Sequence, residues 1–289
     1  MKRAFGAGVL ALGCLASVVG FGGFGGSPAV AAKRGPQVLI QTVPPGKSNT
    51  FFEVDMLWHP QMAQSLVVTK SQRWTALRMT TYQLKVANSR DVFQWILDGG
   101  YDENWFTSYR IGHPVTADVT VEVWRQDGSE PLADKIDLAS GFTRVYQSVT
   151  KRTITIGVPV TFPLPKGAAV TPGRYLVVLG FRFDDPLVFN LRFNGQENGS
   201  NTLGGYNHDQ PINPQCAAYT KTKDTYPEGR AYRPIPAEPP DPSTFIKPFV
   251  TTFEVAETKV AMPCDTSGVY GADHQIWNPG DWELTVLGR

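Results

Sequence analysis

Polar and apolar residues alternate with a period of two over much of this chain. Ala117 to Trp124 reads ADVTVEVW: Val119, Val121 and Val123 share one face, and Asp118, Thr120, Glu122 and Trp124 the other. Ile154, Ile156, Val158, Val160 and Phe162 alternate likewise with Thr153, Thr155, Gly157, Pro159 and Thr161. This period puts one face of a strand on a core and the other toward solvent. Comparable runs predict strands near 37–42, 51–57, 63–69, 73–86, 142–149, 187–193 and 249–256, and only 90–98, RDVFQWILD, has a brief helical period. With 28 Gly and 23 Pro to supply turns, the pattern predicts an all-β chain folded as a sandwich.

One phrase occurs twice, as TPGRYLVVLGFR from Thr171 and as NPGDWELTVLGR from Asn278. Proline presets the first corner of a turn and glycine tolerates the second, so both copies predict a turn followed by a strand. In the first copy Tyr175, Val177 and Leu179 alternate with Leu176 and Val178, which predicts a central strand covered on both faces. In the second, Trp282, Leu284 and Val286 oppose Glu283 and Thr285, which predicts a half-exposed strand. The repetition is turn chemistry used at two strand entries and no sign of a duplicated domain.

The first residues stand apart. Met1-Lys2-Arg3 is followed by the uncharged run AFGAGVLALGCLASVVG and the small residues SPAVAA. That is the layout of a secretory signal peptide spanning 1–32, cut after Ala31 or Ala32. The alternatives are an uncleaved anchor, which the glycines of FGGFGG disfavour, and lipidation at Cys14, which Ala11 disfavours. Residues 33–289 then form one β-sandwich domain. The whole chain has 27 Lys and Arg against 26 Asp and Glu, so no basic excess draws nucleic acid or an anionic membrane. No second apolar run is long enough to span a bilayer. Cys216 and Cys264 remain after cleavage, and in an exported chain two cysteines most simply form one disulfide. Its loop closure would contribute roughly 4 kcal/mol.

The stretch MAQSLVVTKSQRWTALRM resembles the opening of secreted bacterial jelly-roll domains of the choice-of-anchor type. The likeness continues through VTVEVWRQDGSEPLADKIDLAS, VTFPLPKGAAVTPGRYLVVLG and LRFNGQENGSNTLGGYNHD to DWELTVLG. The resemblance implies an extracellular antiparallel jelly-roll-like β-sandwich, similar in shape to carbohydrate-binding modules and without catalytic activity. It carries over no functional residue. Two long insertions depart from it: 90–113, and 206–263, whose PIPAEPPDP is expected to be extended polyproline.

Candidate chemistry is sparse. FFEVDMLW (51–58) resembles the E-x-D-x-x-E strand of laminarinase-type glycoside hydrolases, whose carboxylates act as nucleophile and acid. Glu53 and Asp55 match, but Leu57 and Trp58 stand where the second glutamate belongs, so both acids are expected to be solvent-facing strand residues and no catalytic residue is assigned. His59, His113, His208 and His274 form no metal-ligand spacing. DGGYDENWFTSY (98–109) combines the oxygen ligands Asp98, Asp102 and Glu103 with the flat faces of Tyr101 and Trp105. These suit a sugar, a structural calcium ion, or an ordinary loop whose aromatics pin it to the sandwich. Apart from calcium no cofactor is expected. Trp124, on the polar face of its strand, either stacks on a sugar ring or is covered by the 90–113 insertion.

These residues point to a secreted, non-catalytic binding module for polysaccharide or another cell-surface ligand. The alternative is an extracellular structural or adhesion protein whose insertions make protein contacts. If the leader reading holds, N-terminal sequencing of exported protein starts at Ala32 or Lys33; recovery of intact Met1, or of lipidated Cys14, would overturn it.

Overall fold

A computed structural model describes residues 35–48, 50–58, 60–197, 226–235, 249–261 and 275–289. The expected signal peptide, Cys216, Cys264, His59, His208, His274 and most of the proline-rich stretch lie outside them, so the expected disulfide does too. Among the described residues there are sixteen strands: β1 Gln37–Gln41, β2 Thr50–Asp55, β3 Gln61–Val68, β4 Gln72–Ala87, β5 Phe106–Tyr109, β6 Pro114–Gln126, β7 Lys135–Asp137 and β8 Phe142–Thr155. The rest are β9 Pro159–Val170, β10 Gly173–Phe183, β11 Val188–Glu197, β12 Ala231–Pro234, β13 Thr252–Val255, β14 Glu257–Ala261, β15 Gln275–Trp282 and β16 Leu284–Gly288. Among the described residues one α-helix, α1, spans Asp91–Leu97, and a one-turn 3-10 helix spans Glu103–Trp105.

The fold is an all-β antiparallel sandwich. Its seven-stranded sheet runs β7-β13-β12-β3-β10-β6-β8; the nine-stranded sheet follows the path β1-β16-β4-β11-β15-β14, with β2 on β11 and β5 and β9 on β4. The inward faces of both sheets supply one large core. Val119, Val121 and Val123 of β6 enter it fully buried, as their alternation predicts, and meet Leu77, Leu84, Leu191 and Phe193 from the other sheet.

β10 is the central strand that its doubly apolar sequence predicts. It pairs with β3 along one edge and β6 along the other. Tyr175, Val177 and Leu179 join the main core, while Leu176 and Val178 are buried in a second cluster on the outer face with Ile136, Leu138, Tyr232 and Phe253. The corner before it is closed by its own aromatic: the Tyr175 hydroxyl accepts from the Thr171 N–H at 3.0 Å and donates to the Thr171 carbonyl at 2.8 Å.

Four expectations are corrected. In the second copy of the phrase no turn precedes the strand, because β15 runs through Pro279. Residues Gln275–Pro279 pair with β14 and Gly280–Trp282 with β11, so the proline sits where the strand changes partner. Proline is tolerated there, since a central ladder position would demand its missing N–H. Trp282, Leu284 and Val286 do face the core, but Thr285 opposite them is also buried. The run 153–162 is two strands, broken where Gly157 takes φ 83° and Val158 is left exposed. Finally, 206–263 is more than a loop: β12 and β13 extend the seven-stranded sheet and β14 the nine-stranded one.

Removing bulk from β10 leaves a cavity that two sheets must relax around. Leu179→Ala is therefore expected to lower unfolding free energy by about 3 kcal/mol, whereas Val149→Ala, exposed on edge strand β8, changes it by under about 0.5 kcal/mol. Urea denaturation of both variants checks the contrast.

Candidate functional site

The outer face of the nine-stranded sheet carries polar side chains in rows. Register places Glu53 of β2 opposite Arg192 of β11, and Arg192 opposite Gln83 of β4. The next row runs Asp55, Asn190, Lys85 and then Ser108 of β5. The intervening residues Val54, Leu191 and Leu84 point into the core, so alternation turns both rows outward. The β4–β11 ladder shifts register between Arg192 and Phe193. The residue inserted there is Tyr82, which stacks nearly parallel on Phe51, their ring centres 5.3 Å apart. Re-aiming a side chain in this way is a common consequence of a bulge.

The charged side chains of the face are paired with one another or with its amides. Arg192 donates from Nε to Glu53 Oε2 and from Nη1 to Gln83 Oε1, each at 2.9 Å, and its guanidinium lies 4.2 Å above the Phe51 ring. Asn190 donates from Nδ2 to the same Glu53 oxygen at 3.2 Å; its Oδ1 is buried with no hydrogen-bond partner. Lys85, only 4% exposed, donates to both Glu103 oxygens at 2.9 and 2.8 Å and to the Tyr101 hydroxyl oxygen at 2.9 Å. The Tyr101 hydroxyl in turn donates to Glu103 Oε1 at 2.9 Å.

Loop chemistry holds Tyr101 and Glu103 above Lys85. The chain leaves α1 through Gly99 at φ 88°, where a side chain would be strained. Gly100 donates to the Trp95 carbonyl, and a methyl group on Gly100 would come within 3.0 Å of Trp105. Asp102 accepts from the Asn104 N–H at 2.9 Å and caps the 3-10 turn. Tyr101 thus lies across Phe106, ring centres 5.6 Å apart, and remains 54% exposed.

The electrostatics follow from burial and partners. Asp55 is pushed up to about 7, first by burial and then by the charge of Glu53, against the amides of Leu57 and Trp58. Those amides donate to Asp55 Oδ1 at 2.7 and 3.3 Å. The Lys85 hydrogen bond holds the exposed Glu103 carboxyl below its ordinary range. Burial raises the Tyr101 hydroxyl, partly offset by its bond from Lys85.

Of the residues singled out in the sequence, Glu53, Asp55, Tyr101 and Glu103 belong to this face. Asp102 serves as a cap, Asp98 accepts from Gln94 at 2.9 Å, and Trp105 is half-buried beside Trp58 and Ile96 in the cluster around Leu57, Val92 and Phe93. Each of the three loop carboxylates thus has a protein donor, and among the described residues no group of three or more metal-ligating side chains converges. Trp124 is elsewhere, on the outer face of the seven-stranded sheet, so the structure does not bring it together with Tyr101 and Trp105. It packs against the cluster of Ile136, Leu138 and Leu176 rather than under the 90–113 insertion. Its indole N–H donates to Glu122 at 2.9 Å and Arg144 lies 5.3 Å over its ring. Asp55 is a further correction: it is buried, not solvent-facing. Lys85, Arg192, Asn190 and Gln83 escaped notice, although NLRFN (190–194) carries an alternation that marks a polar strand face.

The chain matches no protein family, and no curated protein or solved structure is significantly similar to it. Among the described residues no helix is long and apolar enough to cross a membrane.

Because the folded value of Asp55 lies above its unfolded one, the stability it contributes is complete below the ordinary value of 3.8 and is lost as pH rises to about 7. The loss is on the order of 4 kcal/mol. Asp55→Asn keeps the shape without the charge, so its thermal midpoint is expected to decline less between pH 4 and 7 than that of the unsubstituted protein. Parallel slopes in calorimetry would contradict this.

Proposed function

We propose that this protein is an exported, non-catalytic β-sandwich that binds carbohydrate on the outer face of its nine-stranded sheet. The observation that carries the reading is Tyr101, held half-exposed by Lys85 and Glu103 beside a floor of paired acid, amide and guanidinium groups. A sugar ring offers an apolar face to stack on such a ring and hydroxyls to bond with the groups around it. The rows from Phe51 to Asp55 extend about 13 Å along the strand, room for more than one sugar unit. The cations are already paired, with Glu103 and with Glu53, which suits an uncharged polyhydroxylated ligand. The non-catalytic reading is supported by Asp55, a buried carboxyl bound to the backbone of Leu57 and Trp58.

A second reading, an adhesion protein acting through protein contacts, is favoured by β8. This strand ends its sheet and exposes Val145 and Val149, and an open edge with apolar residues suits pairing with another chain.

A glycan array probed with the exported protein tests the first reading. On the glycan that binds best, Tyr101→Ala is expected to weaken affinity roughly 30-fold, the effect of losing about 2 kcal/mol, in a variant that stays folded because Lys85 keeps its pair with Glu103. Absence of any bound glycan, together with a protein partner whose capture Val149→Asp abolishes, would favour the second.

A further inference from the structure

We infer that Asp55 is the buried positioning residue of this face: as a carboxylic acid it donates a hydrogen bond to Asn190 Oδ1, fixing the amide that holds Glu53 and, through Glu53, Arg192. The inference rests on the proposed ligand face, but its chemistry lies wholly within the protein.

The starting point is an unpaired acceptor. Asn190 is 2% exposed and its Oδ1 has no partner, a situation that costs about as much as a lost hydrogen bond. Turning the amide over does not help, because the oxygen would then face Glu53 Oε2, another acceptor. Asp55 is directly opposite Asn190 in the β2–β11 ladder, and such pairs have Cβ atoms about 5 Å apart on one face of the sheet. Both backbone donors of Asp55 go to Oδ1, which leaves Oδ2 as the atom for a proton.

The surrounding charges leave the proton no competitor. Glu53, on the same strand, is negative and disfavours ionisation of Asp55. Lys85, beyond Asn190 on β4, is committed to Glu103 and Tyr101, and Arg192 on β11 is committed to Glu53 and Gln83. An ionised Asp55 would set its oxygen against Asn190 Oδ1, two buried acceptors with no hydrogen between them. One proton on Oδ2 satisfies both. It also orients Asn190 Nδ2 toward Glu53, so the order of the Glu53–Arg192 pair depends on an acid two residues below the exposed carboxylate. Burial supports this by holding Asp55 protonated to about pH 7.

Carbon-detected NMR of the exported protein from pH 5 to 9 tests the inference without any ligand. The Asp55 carboxyl carbon, the Asn190 side-chain amide and the Arg192 Nε–H are expected to shift with one common midpoint near 7. Asp55→Asn supplies an amide donor in place of the acid proton and should abolish the Asn190 and Arg192 transitions. An Asp55 midpoint below 5 would overturn the inference. So would Asn190 and Arg192 resonances that do not move through the Asp55 midpoint, or that still titrate near 7 in Asp55→Asn. If that variant does not fold, the titration of the unsubstituted protein alone decides. A negative glycan array alongside a positive titration would remove the carbohydrate reading and leave the proton-linked network standing.

Discussion

The structure depends on β4 being hydrogen-bonded along both edges. Its first half, through Thr80, pairs with β9 on one side and β16 on the other. Its second half pairs with β11 and with β5. A sixteen-residue strand satisfied in this way leaves few backbone groups to water and fixes which residues face inward. Trp74, Leu77, Met79 and Leu84 are thereby committed to the core. Gln83 and Lys85 are committed to the opposite face, where burial forces each polar group to find a partner.

That requirement explains the shape of the candidate site. Lys85 cannot stay buried as a bare ammonium, so the loop after α1 must bring Glu103 and Tyr101 over it. Arg192 likewise holds Glu53 and Gln83. Both cations belong to strands paired over their whole length, so the groups that anchor the site from beneath sit on rigid elements while Tyr101 and Glu103 come from a capped loop. Preorganisation of this kind reduces the entropy that binding would cost.

Buried polar bridges tie the two sheets together. Gln64 of β3 donates to Asp281 Oδ1 at 2.5 Å and accepts from the Trp282 N–H at 2.9 Å. Both partners are in β15, in the opposite sheet. Thr81 of β4 likewise donates to the Thr155 carbonyl of β8 at 3.2 Å, again from one sheet to the other. Sliding one sheet over the other would break several directional bonds at once, whereas apolar contacts alone would let the layers slip at lower cost.

What the sequence determined by itself was local. Period-two alternation identified most of the strands, and the buried valines of β6 and the doubly apolar β10 were legible in their own residues, because side chains alternate across a strand whatever lies beside it. The acidic aromatic loop and the E-x-D strand were legible as segments but not as neighbours. Only tertiary structure decided that Glu53, Gln83 and Arg192 form one row, since their strands are far apart in the chain and register is set by pairing rather than by period. It likewise decided that Tyr82 turns outward through a bulge, that Pro279 lies within a strand, and that Trp124 and Tyr101 occupy different sheets. Asp55 shows the division most clearly. Its alternation with Val54 placed it on the outer face, and only tertiary packing, with Asn190 and Lys85 buried in the same row, took Asp55 out of water.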